Sequence, residues 1–212
     1  MHKEIRAKIH KERPEGTYFL VLVPGEYLTD RMSRYSENDT FLGELRIDDG
    51  RTIRADQRKK IFATIADTSE HLGYPPEYLR QLLRYWFIAE TGADDFSLSN
   101  CSVTTARLFL SYIIEFAIEV GAPMEQSALE RTDDIGAWLS YALKSKVCAI
   151  CAKPDADLHH VQAIGMGRDR VTYDDSDHSK ISLCRQHHGE AHSEGWGSFS
   201  GKWHVYGIVF NE

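Results

Sequence analysis

The sequence predicts an α+β fold in which strands come first, helices occupy the middle, and a smaller strand-and-helix unit closes the chain. Three observations carry this reading. An early run, "TYFLVLV" at 17–23, is apolar and rich in aromatic and β-branched residues, as a buried strand is. Between residues 55 and 121 the apolar period lengthens to that of helices, with start and stop residues in the right places. Beyond residue 147 the composition changes: three of the four cysteines and six of the ten histidines fall between 148 and 192.

Taken in order, the strand at 17–23 stops at "PGE", a turn signal. "FLGELRI" (41–47) and "RTIR" (51–54) flank "DDG", which predicts a hairpin. "ADQRKKIFATIADTSEHLG" sets Ile61, Ile65 and Leu72 near one helical face and stops at Gly73. "PPEYLRQLLRYWFIAETG" opens on prolines and closes on glycine, the asymmetry expected of a helix. "SVTTARLFLSYIIEFAIEVG" opens on Ser102, a good N-cap, and stops at Gly121. Its apolar stripe is Val103, Ala106, Leu110, Ile113, Ala117 and Val120. A shorter helix is predicted at about 132–145, followed by a domain boundary that separates residues 1–145 from 146–212. In the second part, "VCAICAKPDADLHHVQA" reads as strand-turn-strand with a Cys-x-x-Cys at the turn, and "GMGRDRVTYDDSDHSK" as a polar loop. "ISLCRQHHGEAHSEG" reads as a short strand running into a helix that ends at Gly195, so the whole is a ββα unit.

Composition narrows the classes. Hydrophobic content of 42% and charged content of 27% are ordinary for a soluble globular protein. No apolar run approaches the length of a membrane span, and the charged N-terminus has no apolar signal region, so the expected compartment is the cytoplasm. A net charge of -7 argues against a nucleic-acid binder dominated by electrostatics. It does not argue against a nuclease that holds divalent metal, because the ion supplies local positive charge.

In a chain without a secretory signal, clustered Cys and His point to metal before disulfides. Cys148 and Cys151 form one pair, and Cys184 and His187 form a second 33 positions after Cys151. Together they offer four ligands of the type a tetrahedral zinc prefers. A redox Cys-x-x-Cys would sit in a thioredoxin-like context that this chain lacks, and unligated buried cysteines are the plain alternative. His188 stands next to His187 and could take the fourth place. His188 and His192 are spaced i, i+4, which puts both imidazoles on one helix face. On a strand, one of His159 and His160 would turn toward an ion held there and the other away.

Cys-x-x-Cys, then "LHHV", then "LCRQHHGEAH" resembles the HNH, or ββα-metal, endonucleases, over about residues 146–196. The closest likeness is to the HNH proteins encoded in phage recombination and replication regions. The resemblance implies a zinc-supported ββα-metal module that hydrolyses DNA phosphodiester bonds. It implies His159 as a metal ligand with His188 and His192, and His160 as the general base that activates water. A neutral imidazole suits that task near neutral pH. The divalent cation would be Mg, Mn, Ni or Zn, with the imidazole-rich set favouring a transition metal. The chain departs from the family pattern in one place: the middle asparagine is absent. Ser179 is its counterpart by spacing, and His178, Asp177 or a backbone group is left to position the loop, with His178 the candidate.

Arg168 and Arg170 in the glycine loop, and Arg185 near the helix start, are candidates for contact with a DNA backbone, with solvated turn arginines as the alternative. Arg51, Arg54, Arg58, Lys59 and Lys60 could neutralise phosphates but read better as a solvated helix start. Of the aromatics Tyr85, Trp86 and Phe87, which could stack on bases, Trp86 reads as core packing. Residues 54–121 also resemble the phage lambda Orf (NinB) recombination mediators, which implies single-stranded or branched DNA and a host single-strand-binding protein as partners. Two other classes compete: a non-catalytic zinc-containing DNA-binding or adaptor protein, and a metallohydrolase of small phosphoesters. The oligomeric state is not legible in this sequence.

Overall fold

The computed structural model describes residues 8–12, 19–22, 50–162 and 177–210. The protein is α+β. A first antiparallel pair joins β1 (Lys8–Glu12) to β2 (Phe19–Leu22), with Ile9 opposite Val21 and an irregularity before Glu12. Residues 19–22 of the run predicted at 17–23 are thus a strand, but its partner is the charged N-terminal segment, which carries no strand signal. The predicted strand at 41–47 lies outside the described residues. Among the described residues, 51–54 take part in one isolated bridge, Thr52 to Ser102.

Three long helices follow: α1 (Ala55–Leu72), α2 (Pro76–Thr91) and α3 (Val103–Glu119). Their ends obey the sequence. Gly73 and Gly92 close α1 and α2 with φ of 74° and 71°, the left-handed backbone that favours glycine. The Ser102 hydroxyl accepts from the backbone N–H of Thr105 at 2.9 Å, satisfying a donor left open at the start of α3. Ile61 and Ile65 of α1, Leu79, Leu83 and Phe87 of α2, and Phe109, Leu110 and Ile113 of α3 are buried together. Phe87, Phe96 and Phe109 meet edge to face with centroids 5.3–5.8 Å apart, the geometry aromatic quadrupoles prefer. Trp86 departs from its expected core place: it is 39% exposed and lies against Phe116 at 5.9 Å.

The basic stretch at the start of α1 is largely spent internally. Arg58 donates to the carbonyls of Leu98 and Ser99, and Lys60 pairs with Asp133 at 2.7 Å. A short helix not predicted from the sequence, α4 (Ala128–Arg131), is capped by Ser127 and Glu130 in a reciprocal box. Its last residue, Arg131, is 1% exposed and donates to Thr64 Oγ1 at 3.1 Å and Asp67 Oδ2 at 2.6 Å, both on α1. Next comes α5 (Ile135–Lys144), the core of the helix predicted at 132–145.

The C-terminal part is a three-stranded antiparallel sheet in the order β3 (Asp157–His160), β4 (Ser179–Leu183), β5 (Ile208–Val209), with α6 (Arg185–Glu194) and α7 (Trp196–Trp203). In one respect the sequence reading is corrected: Val147–Ile150 is not a strand. Its backbone closes a turn, with the Cys148 N–H donating to Lys153 O and the Ala152 N–H to Cys148 O, each at 2.8 Å. Ala149 N–H then docks the turn on Ser182 O of β4 at 2.8 Å. Both α7 and β5 were unforeseen. The latter needs close approach at Gly207, where an added Cβ would sit 2.4 Å from Val161 Cγ2. The buried apolar cluster is continuous from Ile53 to Val205, with Trp138 and Leu139 of α5 lying in it beside Ile181 and Leu183 of β4.

Candidate metal centres

The turn at 148–151 and the start of α6 bring four donors together. Cys148 Sγ and Cys184 Sγ each lie 3.3 Å from His187 Nδ1, and Cys151 Sγ lies 3.8 Å from Cys184 Sγ. No disulfide forms. A tetrahedral zinc with bonds to sulfur near 2.3 Å separates its sulfurs by roughly 3.8 Å, so the spacing suits that ion. Three thiols and one imidazole complete four-coordination, and three of the four residues are buried. This donor set could hold a metal ion, with protein groups enough for all four tetrahedral positions.

Local electrostatics prepare these groups unequally. Burial pushes the Cys148 thiol up to about 12. Burial also opposes ionisation of Cys184, but the backbone N–H of His187, with the Cys148 and Cys151 thiols, outweighs it and lowers this thiol. Cys184 is the N-cap of α6, where unpaired N–H groups favour a thiolate. Burial lowers His187; Glu190 opposes this, and Lys153 and Lys202 add to it.

A second cluster lies on the other turns of the same helix. His188 and His192 of α6 stack at 4.9 Å, and His159 of β3 meets them at 4.9 and 5.0 Å. Their ligand atoms all lie within 4.8 Å of one another. The sequence left His187 and His188 as rivals for one place; the structure sends them to different clusters, 187 to the cysteines and 188 to the histidines. Burial, then the neighbouring His188, His192 and His160, pushes His159 down to about 4, so its imidazole is neutral and able to coordinate. His159 is 5% exposed, whereas His192 is exposed. Three imidazole donors with one open side suit an ion that keeps positions for water or substrate.

Strand alternation separates the doubled histidine. His160 faces away from the cluster, half-buried, with its ring 6.4 Å from that of His178. Directly across the sheet from it is Lys180, which is buried. Arg185 is nearly fully exposed, its Nε 3.5 Å from Asp157 Oδ2. Arg168 and Arg170 lie outside the described residues.

Sequence reasoning missed Asp157, Trp196, Trp203 and Glu190. Asp157 stands two residues before His159, hence on the same strand face, and its Oδ2 lies 3.7 Å from His188 Nδ1. Trp203 meets the His187 ring edge-on at 5.3 Å and donates from Nε1 to Glu190 Oε1 at 3.1 Å. The signal for α7 was present as Trp196, Phe199 and Trp203, spaced i, i+3, i+7.

The model of a family described as "Putative HNHc nuclease" matches residues 29–211. No curated protein and no solved structure matches the chain.

Proposed function

The chain belongs to the HNHc nuclease family, and from that premise we propose that it is a metal-dependent endonuclease that hydrolyses DNA phosphodiester bonds. The observation that carries this reading is the three-histidine cluster beside His160 and apart from a closed Cys₃His set. On this reading β3, β4 and α6 form the ββα-metal module of residues 146–212.

Each group then has one task. Cys148, Cys151, Cys184 and His187 would hold a structural zinc that ties the 147–153 turn to the start of α6. His159, His188 and His192 would hold a divalent cation (Mg, Mn, Ni or Zn), which offsets negative charge on the phosphate and the leaving oxygen. His160, turned to the other side of the strand, takes the proton from the attacking water as general base. His178, whose ring neighbours that of His160, orients the base in place of the missing asparagine. Arg185, with Arg168 and Arg170 of the glycine loop, contacts the DNA backbone. We assign residues 1–145 to substrate engagement, with branched or single-stranded DNA and a host single-strand-binding protein as partners in a phage or prophage recombination setting. Support for that last assignment is the resemblance of residues 54–121 to the Orf mediators.

A cleavage panel of linear, nicked and branched DNAs with each metal tests the reading. His160→Ala is expected to lose about 10²–10⁴-fold in cleavage rate while keeping its fold and zinc content. Equal cutting by this variant would remove His160 as the base. No cutting by the wild type on any substrate with any metal would favour the non-catalytic adaptor, which the net charge of -7 keeps in play.

A further inference from the structure

The three histidines of the open cluster are not held equally. His188 and His192 sit on consecutive turns of one helix and stack nearly parallel, at 28°. Helix geometry alone fixes their spacing. His159 comes from a different element and meets them edge-on, at 89° and 70°. Rotation of this imidazole about its own side-chain torsions would take its nitrogen away from the pair, so something outside α6 has to hold it.

Trp196 occupies that position. It is the first residue of α7, placed there by Gly195, whose φ of 78° and ψ of 147° break the helix after α6. The indole lies along the His159 ring at 5.6 Å and 27°. The indole also meets Phe199 at 5.9 Å, and Phe199 is fully buried in the core. The core therefore holds Phe199, Phe199 packs on the indole, and the indole lies along the imidazole.

We propose that Trp196 is a positioning residue for the open cluster: stacked on His159, it holds that imidazole in the one rotation that completes a three-nitrogen site with α6. This rests on the reading of His159, His188 and His192 as metal ligands. Outer residues of this kind commonly change metal affinity by about 10–100-fold. The contribution is to affinity at one site; the Cys₃His cluster is held through other contacts, including Trp203 on His187.

The test uses the full, untagged chain with its zinc content measured, titrated with nickel(II) alone in a calorimeter. Compared are the wild type, Trp196→Phe, Trp196→Leu and His159→Ala. Trp196→Leu keeps apolar bulk against Phe199, so folding is preserved while the flat ring is lost. The expected result is nickel binding weakened about 10-fold or more in Trp196→Leu. Trp196→Phe should bind within about threefold of wild type, with bound zinc unchanged in both. Trp196→Leu binding nickel as tightly as wild type, while His159→Ala does not, would overturn the role of Trp196 and leave the metal site standing. His159→Ala binding as tightly as wild type would overturn both.

Discussion

Glu115 shows how one residue on α3, outside both clusters, can set the pH response of the fold. Burial pushes its carboxyl up to about 7, the charge of Glu119 adds to this, Lys144 partly offsets it, and Glu90 adds again. The folded chain thus holds a proton that the unfolded chain releases near 4.5. Between those two values the unfolded state binds fewer protons, so this group makes stability fall as pH rises. The loss is complete above pH 7 and absent below the unfolded value. Glu115→Gln should therefore stabilise the protein by about 1–3 kcal/mol at pH 8 and by little near pH 4, read as the shift in urea midpoint at each pH. Equal shifts at both pH values would mean that packing, not ionisation, distinguishes the variant. At this scale the candidate site was legible where chemistry is local. The spacing i, i+4 put His188 with His192, and alternation divided His159 from His160. It was illegible where the partner is far in sequence. Asp157 meets His188 across 31 positions and Trp196 meets His159 across 37, and neither local periodicity nor ligand spacing reports such contacts.

Elements were legible to the extent that their ends carried chemistry. Gly73, Gly92 and Ser102 mark helix termini in the sequence and do so in the fold, because left-handed backbone and an open N–H each demand a particular residue type. α7 was missed because "WGSFSGKW" is rich in residues of poor helix propensity; burial of Phe199 and the two flanking indoles outweighs that preference. α4 was missed although Ser127 and Glu130 spell a capping box, since four residues are too few to show a period. Yet α4 delivers the most deeply buried cation among the described residues. Arg131 is joined to Thr64 and Asp67 of α1, and Asp67 Oδ2 also accepts from the Glu125 backbone N–H at 3.1 Å. Arg131→Ala should cost about 3–5 kcal/mol, because it strands a carboxylate in a poorly hydrated place and opens a cavity. Adding Asp67→Asn should recover part of that loss. A double-mutant cycle in urea separates the two causes: strictly additive losses would show that packing alone is at stake.

Across the whole molecule, one buried cluster joins parts that the sequence divided near residue 146. The join is made mostly through α5: Trp138 donates from Nε1 to Ala149 O at 2.8 Å, inside the turn that carries Cys148 and Cys151. The strand-and-helix character of the C-terminal part was legible because its ligands are clustered. The continuity of the core was not, because Trp138 and Leu139 look the same in sequence whether they face helices or a sheet. If the Cys₃His set holds the zinc proposed for it, this arrangement predicts the consequence of removing that ion. The sheet is small and β5 has two residues, so the C-terminal part has little apolar burial of its own to hold it without a cross-link. Structural zinc sites contribute about 10–16 kcal/mol of apparent binding energy, more than so small a unit can replace. By contrast, Ile61, Ile65, Leu83, Phe87, Phe109, Leu110 and Ile113 are buried on the three long helices, none of which carries a metal-ligand candidate. Chelation with phenanthroline, or Cys148→Ser, should strip hydrogen-exchange protection from β3, β4, α6 and α7 first. Protection in α5 should fall next, through Trp138, while α1 and α3 keep most of theirs. Loss of protection in α1 and α3 at the same chelator concentration would mean instead that the chain folds as one cooperative unit, with zinc supporting all of it.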